Sequence, residues 1–377
     1  MLLDLTPDQE LFRDATVKFL EDQASPAELR RLRHDPAGFR TDYWSRGAQL
    51  GWTSLLVAEE DGGGSLSGRP VVDLALLAYE FGRHAAPGPL VATNTVAAAL
   101  GRLGEYAALR SGLLAGTAIA SWAYGEPSPH SRLGDVALTV RVEGGGVVLD
   151  GAKRPVESAA ECDTLLVTGR TGAGLTQVLV PTATPGVSIE AMHTVDLTRR
   201  FASVRFDHVR LPADAVVGAR GDAGAQVERQ LQLAATMANA EMVGAMQAAF
   251  DMTVAWAFDR YSFGRPLASY QALKHRFADM KSWLEASHAV CQRSAEALDA
   301  QTPDATELVS VAKAYIGHHA VELIQDCVQL HGGIGLTFEH DLHLFLRRAT
   351  VNRALWGTPA EHRQRITAGL ERSEGAA

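Results

Sequence analysis

Cysteine is scarce in this chain of 377 residues: only Cys162, Cys291 and Cys327, odd in number and widely spaced. That excludes a disulfide framework and fits free thiols in a reducing cytoplasm. The 13 histidines include no H-E-x-x-H or similar pair, so no metal-ligand spacing is visible and no metal site is expected. A basic excess is missing too. The 35 Lys and Arg stand against 44 Asp and Glu, a net charge of −9. Nucleic-acid binding is therefore not expected, because phosphate neutralisation needs a clustered basic surface. No apolar run reaches membrane-spanning length, and Met1-Leu-Leu-Asp4 lacks the basic start and apolar core of a signal peptide. What is present is an ordinary soluble composition, 46% hydrophobic and 21% charged, over a length that accommodates two or three domains.

The texture changes twice along the chain. Residues 1–118 read as helical. Thr6-Pro-Asp-Gln-Glu10 supplies an N-cap, a first-turn proline and early acids before an apolar stripe at Leu11, Phe12, Ala15, Phe19 and Leu20. A second helix is expected near Thr41, a third over Val71 to Phe81, and a helical run over Val96 to Leu100 after Pro87-Gly-Pro89. Residues 119–218 carry short β-prone runs, such as those beginning at Val136, Gly146, Thr164, Gln177 and Ala202, which predict a small sandwich or barrel. In residues 219–377, long helices near 225–259, 268–297, 304–330 and 340–352 predict an antiparallel four-helix bundle, with Ser373 to Ala377 as a tail. The expected fold class is α+β.

One carboxylate stands out. Between Arg229 and Asp251 every residue except Glu241 is non-ionisable, and Ala, Met and Leu dominate. A buried carboxylate is costly unless paired or protonated. Glu241 is therefore either a general base or a structural acid paired with a buried Arg or His of another helix. Arg260-Tyr-Ser-Phe-Gly-Arg-Pro266 lies where this helix should end. Arg260 there can grip a phosphate or simply complement a helix C-terminus, and Phe263 can be tucked into the core. Gln271 and His275, four apart, share a helix face. Gln329-Leu-His-Gly-Gly-Ile-Gly335 places three glycines where backbone can approach a ligand, although it matches neither common nucleotide-binding glycine motif. His331 reads as packing residue or ligand contact alike.

In chain order, R-x-x-F-G-x-P, a glutamine eight residues after its phenylalanine, and Q-x-H-G-G-x-G resemble the acyl-CoA dehydrogenase family. The resemblance is greatest to the actinobacterial branch acting on fatty-acid or sterol side-chain thioesters. It extends through Leu50-Gly-Trp-Thr-Ser-Leu-Leu-Val-Ala-Glu-Glu60, Gly151-Ala-Lys-Arg-Pro-Val156 and Phe206-Asp-His-Val-Arg-Leu-Pro212. It implies FAD held between the β domain and the bundle. Arg260 and Gln271 would contact the cofactor from a neighbouring subunit, with Phe263 near the flavin. Gln329, Gly332 and Gly333 would contact the adenosine pyrophosphate across a dimer interface, and Thr358 is a further cofactor contact. An acyl-CoA substrate, an electron-transfer flavoprotein as acceptor and a homo- or hetero-oligomeric dimer of dimers follow from the same resemblance.

Two departures from the family pattern carry information. Where many members have a Y-E-G-T glutamate as base, this chain reads Leu355-Trp-Gly-Thr358, so Trp356 keeps a backbone N–H for the thioester oxygen but offers no carboxylate. Other members place the base early in the long helix, at the position of Ala234; Glu241 lies two turns later on nearly the same face. The flavin-facing T-E-P-x-x-G-S-D segment is replaced by Tyr124-Gly-Glu-Pro-Ser-Pro-His-Ser131, and Pro155 and Glu157 stand where an aromatic and a Thr or Ser are usual. The leading expectation is an FAD-dependent enzyme making a trans-2-enoyl-CoA with Glu241 as base. The alternatives are a non-catalytic or co-catalytic subunit of an α2β2 dehydrogenase and, more distantly, a flavin monooxygenase of the same fold.

Overall fold

A capping box opens the first helix. Thr6 Oγ1 accepts from the Gln9 N–H at 3.3 Å, and Gln9 Oε1 accepts from the Thr6 N–H at 3.0 Å. The computed structural model describes residues 4–101, 103–127 and 133–374. The chain forms two compact units, one of 1–29, 71–86 and 235–377, the other of 30–70 and 87–234. The N-terminal helices are shared between them.

Helix α1 (Pro7–Gln23) buries Gln9, Phe12, Thr16 and Leu20. Leu11, expected in the apolar stripe, is exposed, because a spacing of three and four residues selects the other face. Then come α2 (Pro26–Leu32), α3 (Thr41–Gln49), α4 (Pro70–Arg83), α5 (Leu90–Leu100) and α6 (Ala107–Ala115). Helix α4 is buried on nearly all sides. The N–H groups of Val71 and Val72 at its start donate to the Asp299 carboxylate, each at 2.9 Å.

In the second unit the strands are β1 (Ala120–Ala123), β2 (Thr139–Glu143), β3 (Gly146–Glu157), β4 (Thr164–Thr171), β5 (Gly174–Pro181), β6 (Val187–Met192), β7 (Phe201–Leu211) and β8 (Val216–Val217). They form one sheet in the order β6-β7-β3-β2-β4-β5-β8, with β1 parallel to β4. Strand β1 joins despite its weakly β-prone Ala-Ser-Trp-Ala sequence, because it is paired along its whole length and fully buried. The β3–β7 register shifts between Lys153 and Val156, where Pro155 has no N–H to give the ladder.

After the sheet come α7 (Gly224–Asp259), the two-residue strands β9 (Tyr261–Ser262) and β10 (Arg265–Pro266), α8 (Gln271–Asp299), α9 (Ala305–His331), α10 (Leu342–Ala354) and α11 (Pro359–Glu374), all in the first unit from residue 235 onward. Helix α11 is a fifth helix beyond the four expected; its mostly polar sequence hides it from a search for apolar periodicity. Ser373 and Glu374 end this helix. Among the described residues no helix is long and apolar enough to cross a membrane.

Two glycines let α4 and α7 cross closely. A Cβ at Gly82 would lie 2.0 Å from the Glu241 carbonyl oxygen, and one at Gly244 would lie 2.0 Å from that of Tyr79. Backbone cannot yield there as a side-chain tip can. Gly244→Ala is expected to cost roughly 3 kcal/mol, read as a lowered midpoint in urea unfolding. An unchanged midpoint would show that the crossing is looser than described.

Candidate functional site

The crossing delivers Glu241 into a polar knot inside the first unit. Its carboxylate accepts from Asn352 Nδ2 at 2.6 Å and lies 3.8 Å from Arg348 Nη1, with side-chain exposures of 2% for Glu241 and 0% for Arg348. Arg348 also donates to the carbonyls of Ala85 and Ala86, at 3.3 and 2.9 Å. Lys313, fully buried on α9, donates through Nζ to the Asn352 carbonyl. Burial pulls the Lys313 amine down to about 7, against a modest opposing pull from Glu361. Glu241 is thus neither isolated nor open. Its surroundings match the paired structural acid.

Beyond Asn352 the chain leaves α10 through Trp356, whose φ is +59°. The Trp356 carbonyl is 2.9 Å from His362 Nε2, and burial lowers the His362 imidazole to about 4, so it is neutral near pH 7. Thr358 is engaged in a capping box. Its N–H and hydroxyl donate to the Glu361 carboxylate, each at 2.8 Å, and its oxygen accepts from the Glu361 N–H at 3.3 Å.

The remaining candidates in this unit face outward. Strands β9 and β10 pair Ser262 with Arg265 around a two-residue turn of Phe263 and Gly264, both with positive φ, +49° and +79°. Phe263 at its tip is 98% exposed, not packed in the core. Arg260 and Gln271 flank the hairpin and are exposed, and Gln271 lies 3.2 Å from His275 on the shared helix face. At the end of α9, Gln329, Gly332 and Gly333 are exposed. Gly332 has φ +67°, and a Cβ at either glycine would meet nothing within 4 Å. His331 turns inward instead: Nδ1 is 2.8 Å from the Cys327 carbonyl, and the ring stacks on Trp256 at 5.2 Å. It is a packing residue.

In the second unit, the residues at the altered β positions are bound to one another. Lys153 Nζ donates to Glu126 at 2.7 Å and to the Tyr124 carbonyl at 2.9 Å. Burial takes Lys153 down to about 8. Burial also works against the Glu126 charge, but Lys153 and the N–H groups of Leu138 and Ala137 outweigh it and hold the carboxyl below its usual range. Glu157 is tied to Arg199 at 2.6 Å, both almost fully buried. Of the segment 124–131, positions 128–131 lie outside the described residues.

Residues 6–114 match the family model for the acyl-CoA dehydrogenase N-terminal domain, and residues 223–371 that for its C-terminal domain. The acyl-CoA dehydrogenase IpdE2 of Mycobacterium tuberculosis is 30% identical over 367 residues, 96% of this chain and 98% of that protein. The chain belongs to the acyl-CoA dehydrogenase family. The IpdE2 of Mycolicibacterium smegmatis is 29% identical over 97% of this chain and 99% of that protein. Among solved structures, a variant of the Tcur3481-Tcur3483 steroid ACAD has a TM-score of 0.88 at 24% identity, covering 98% of this chain and 99% of that one. A glutaryl-CoA dehydrogenase from Mycobacterium smegmatis in complex with FADH2 has a TM-score of 0.87 at 22% identity, covering 97% and 95%.

FAD is the cofactor of this family, and the residues present fit it on one side. The outward set at Arg260, Phe263, Gln271, Gln329, Gly332 and Gly333 offers donors, an aromatic face and open backbone to a group approaching from outside. On β3 the fit is poor, since Glu157 is committed to Arg199 and Lys153 to Glu126. Sequence reasoning missed Arg348, Asn352 and Lys313. Lys313 carried the same signal as Glu241, a lone charge in an apolar helical stretch (Val311-Ala-Lys-Ala-Tyr-Ile316).

Two measurements test these assignments. Arg348→Met should cost about 3–5 kcal/mol in urea unfolding by stranding the Glu241 charge. The double variant with Glu241→Leu should recover much of that loss, and purely additive losses would dissolve the pair. Lys313 has its folded pKa depressed from 10.5 to about 7, so the unfolded chain binds the extra proton between those values. Stability should rise with pH across that window. Lys313→Met should therefore stabilise most below pH 7 and lose its advantage towards pH 10; a gain independent of pH would contradict a charged, desolvated amine.

Proposed function

We propose that this chain is the co-catalytic subunit of an FAD-dependent acyl-CoA dehydrogenase built from two unlike chains, acting on a CoA thioester to give the trans-2-enoyl-CoA. The observation that carries this reading is the commitment of Glu241 to Asn352 and Arg348, with Trp356 at the family's glutamate position. Neither position leaves an available base. The buried Glu157–Arg199 pair supports the same reading, because the Glu157 carboxylate is already engaged by a cation of its own chain. So does the paired designation of the Tcur3481-Tcur3483 steroid ACAD. A fatty-acyl or steroid side-chain thioester, a cytoplasmic setting and an electron-transfer flavoprotein as acceptor complete the proposal.

Removing the α-proton of a thioester needs a base working near neutral pH and donors for the developing enolate oxygen. In this reading the partner chain brings the base and the cradle for the flavin ring. Arg260, Gln271 and Gln329 would hold polar groups of the cofactor, Phe263 would lie beside it, and the open backbone at Gly332 and Gly333 would face its phosphates. The chemistry FAD supplies when bound is acceptance of the β-hydrogen as hydride.

A second reading keeps Glu241 as the base and the Trp356 N–H as the oxyanion donor, since Asn352 binds Glu241 four residues before Trp356. It requires Glu241 to leave both Asn352 and Arg348. Flavin bleaching by substrate in the complete assembly separates the two. Glu241→Gln should bleach at nearly the wild-type rate, whereas Arg260→Ala should lose bound FAD. A slowing of about 10²–10⁴-fold in Glu241→Gln, the usual cost of a lost general base, would return the base to Glu241.

A further inference from the structure

The three side chains His318, His319 and Glu322 on the outer part of α9 have no place in the proposed chemistry. Their donor atoms all lie within 4.8 Å of one another. His318 Nε2 and His319 Nδ1 each stand 3.7 Å from the same carboxylate oxygen, Glu322 Oε2. A tetrahedral ion with bonds of roughly 2.0–2.1 Å separates its ligands by about 3.3 Å. The two His–Glu322 pairs are thus within about half an ångström of that separation, and the half-exposed His318 and Glu322 side chains have the freedom to rotate towards a shared ion.

His319 is the fixed member. Its ring stacks on Trp283 at 5.1 Å and lies 4.4 Å from the Tyr315 ring, so packing sets its direction. Its Nδ1 is buried and has no hydrogen-bond partner. A buried polar atom left unsatisfied is costly, and a bound ion would satisfy it. The nearby Arg276 lies over Trp283 but is paired with Asp326, so its charge is already balanced. The carboxylate of Glu322 remains to offset the charge of a cation.

We infer that His318, His319 and Glu322 form a site for a late first-row divalent ion, Zn²⁺ by ligand type, with water in the fourth position. Two imidazoles and one carboxylate select zinc and its neighbours over Mg²⁺ or Ca²⁺, which take oxygen ligands. The absence of an H-E-x-x-H motif hides the site from sequence, since its ligands follow the pattern H-H-x-x-E along one helix. Among the described residues, Asp150, Asp207 and His208 form the other such cluster. There Arg141 already occupies Asp150, at 2.6 Å, which disfavours a cation.

Co²⁺ titration of the full-length protein in its native assembly, followed by visible absorption, tests the site. One equivalent per chain should give intense four-coordinate bands that Zn²⁺ erases. His319→Ala and the exposed His318→Gln should each weaken binding well beyond the roughly tenfold cost of losing an orienting partner, and His208→Ala should leave it unchanged. Only the pale bands of six-coordinate cobalt, or bands that survive both the His318 and His319 substitutions, would overturn the assignment. Because His318 is exposed, its variant keeps the test decisive even if His319→Ala fails to fold.

Discussion

Within the first unit, the Glu241 carboxylate and the Arg348 guanidinium face each other at 3.8 Å with almost no exposure. Most of the local architecture answers to that constraint. Two charges so deeply placed require good geometry and further hydrogen bonds. Asn352 supplies one to the acid, and the carbonyls of Ala85 and Ala86 receive the arginine. Gly82 and Gly244 let α4 and α7 approach closely enough to bring these groups together. Lys313 extends the knot to α9 through the Asn352 carbonyl. Three helices (α7, α9 and α10) and the segment just after α4 are therefore joined by polar contacts.

In the proposed reading, function separates from that knot. The groups suited to a dinucleotide are the exposed ones, on the β9–β10 hairpin and at the end of α9, where a side chain such as Phe263 stands almost wholly in solvent. A large aromatic on a left-handed turn residue is poorly explained by the stability of the isolated chain. In the proposed reading it packs against a partner surface that carries the rest of the cofactor site. In the second unit, Lys153 pairs with Glu126 and Glu157 with Arg199, so those charges are balanced within the chain.

Much of this was legible in residues. Thr6 and Pro7 announce α1, Gly264 and Pro266 mark the end of α7, and the glycines after Gln329 mark the end of α9. The family motifs led to the outward set because their residues lie close together along the chain. The surroundings of Glu241 were not legible. Its partners are 107 and 111 residues away on α10, and a single sequence shows which acid is buried but not what faces it. Helix α11 escaped notice for a different reason, having few apolar residues to define a period. The fold of β1 likewise depends on β4, a tertiary pairing that its own four residues do not encode.

The central claim is that this chain offers one side of an FAD site and relies on an unlike chain for the other. The most direct measurement is the flavin absorbance per chain of the full-length protein purified by itself. The account predicts a folded, colourless protein that retains no stoichiometric FAD when the cofactor is supplied. A yellow homo-oligomer holding one FAD per chain would contradict it.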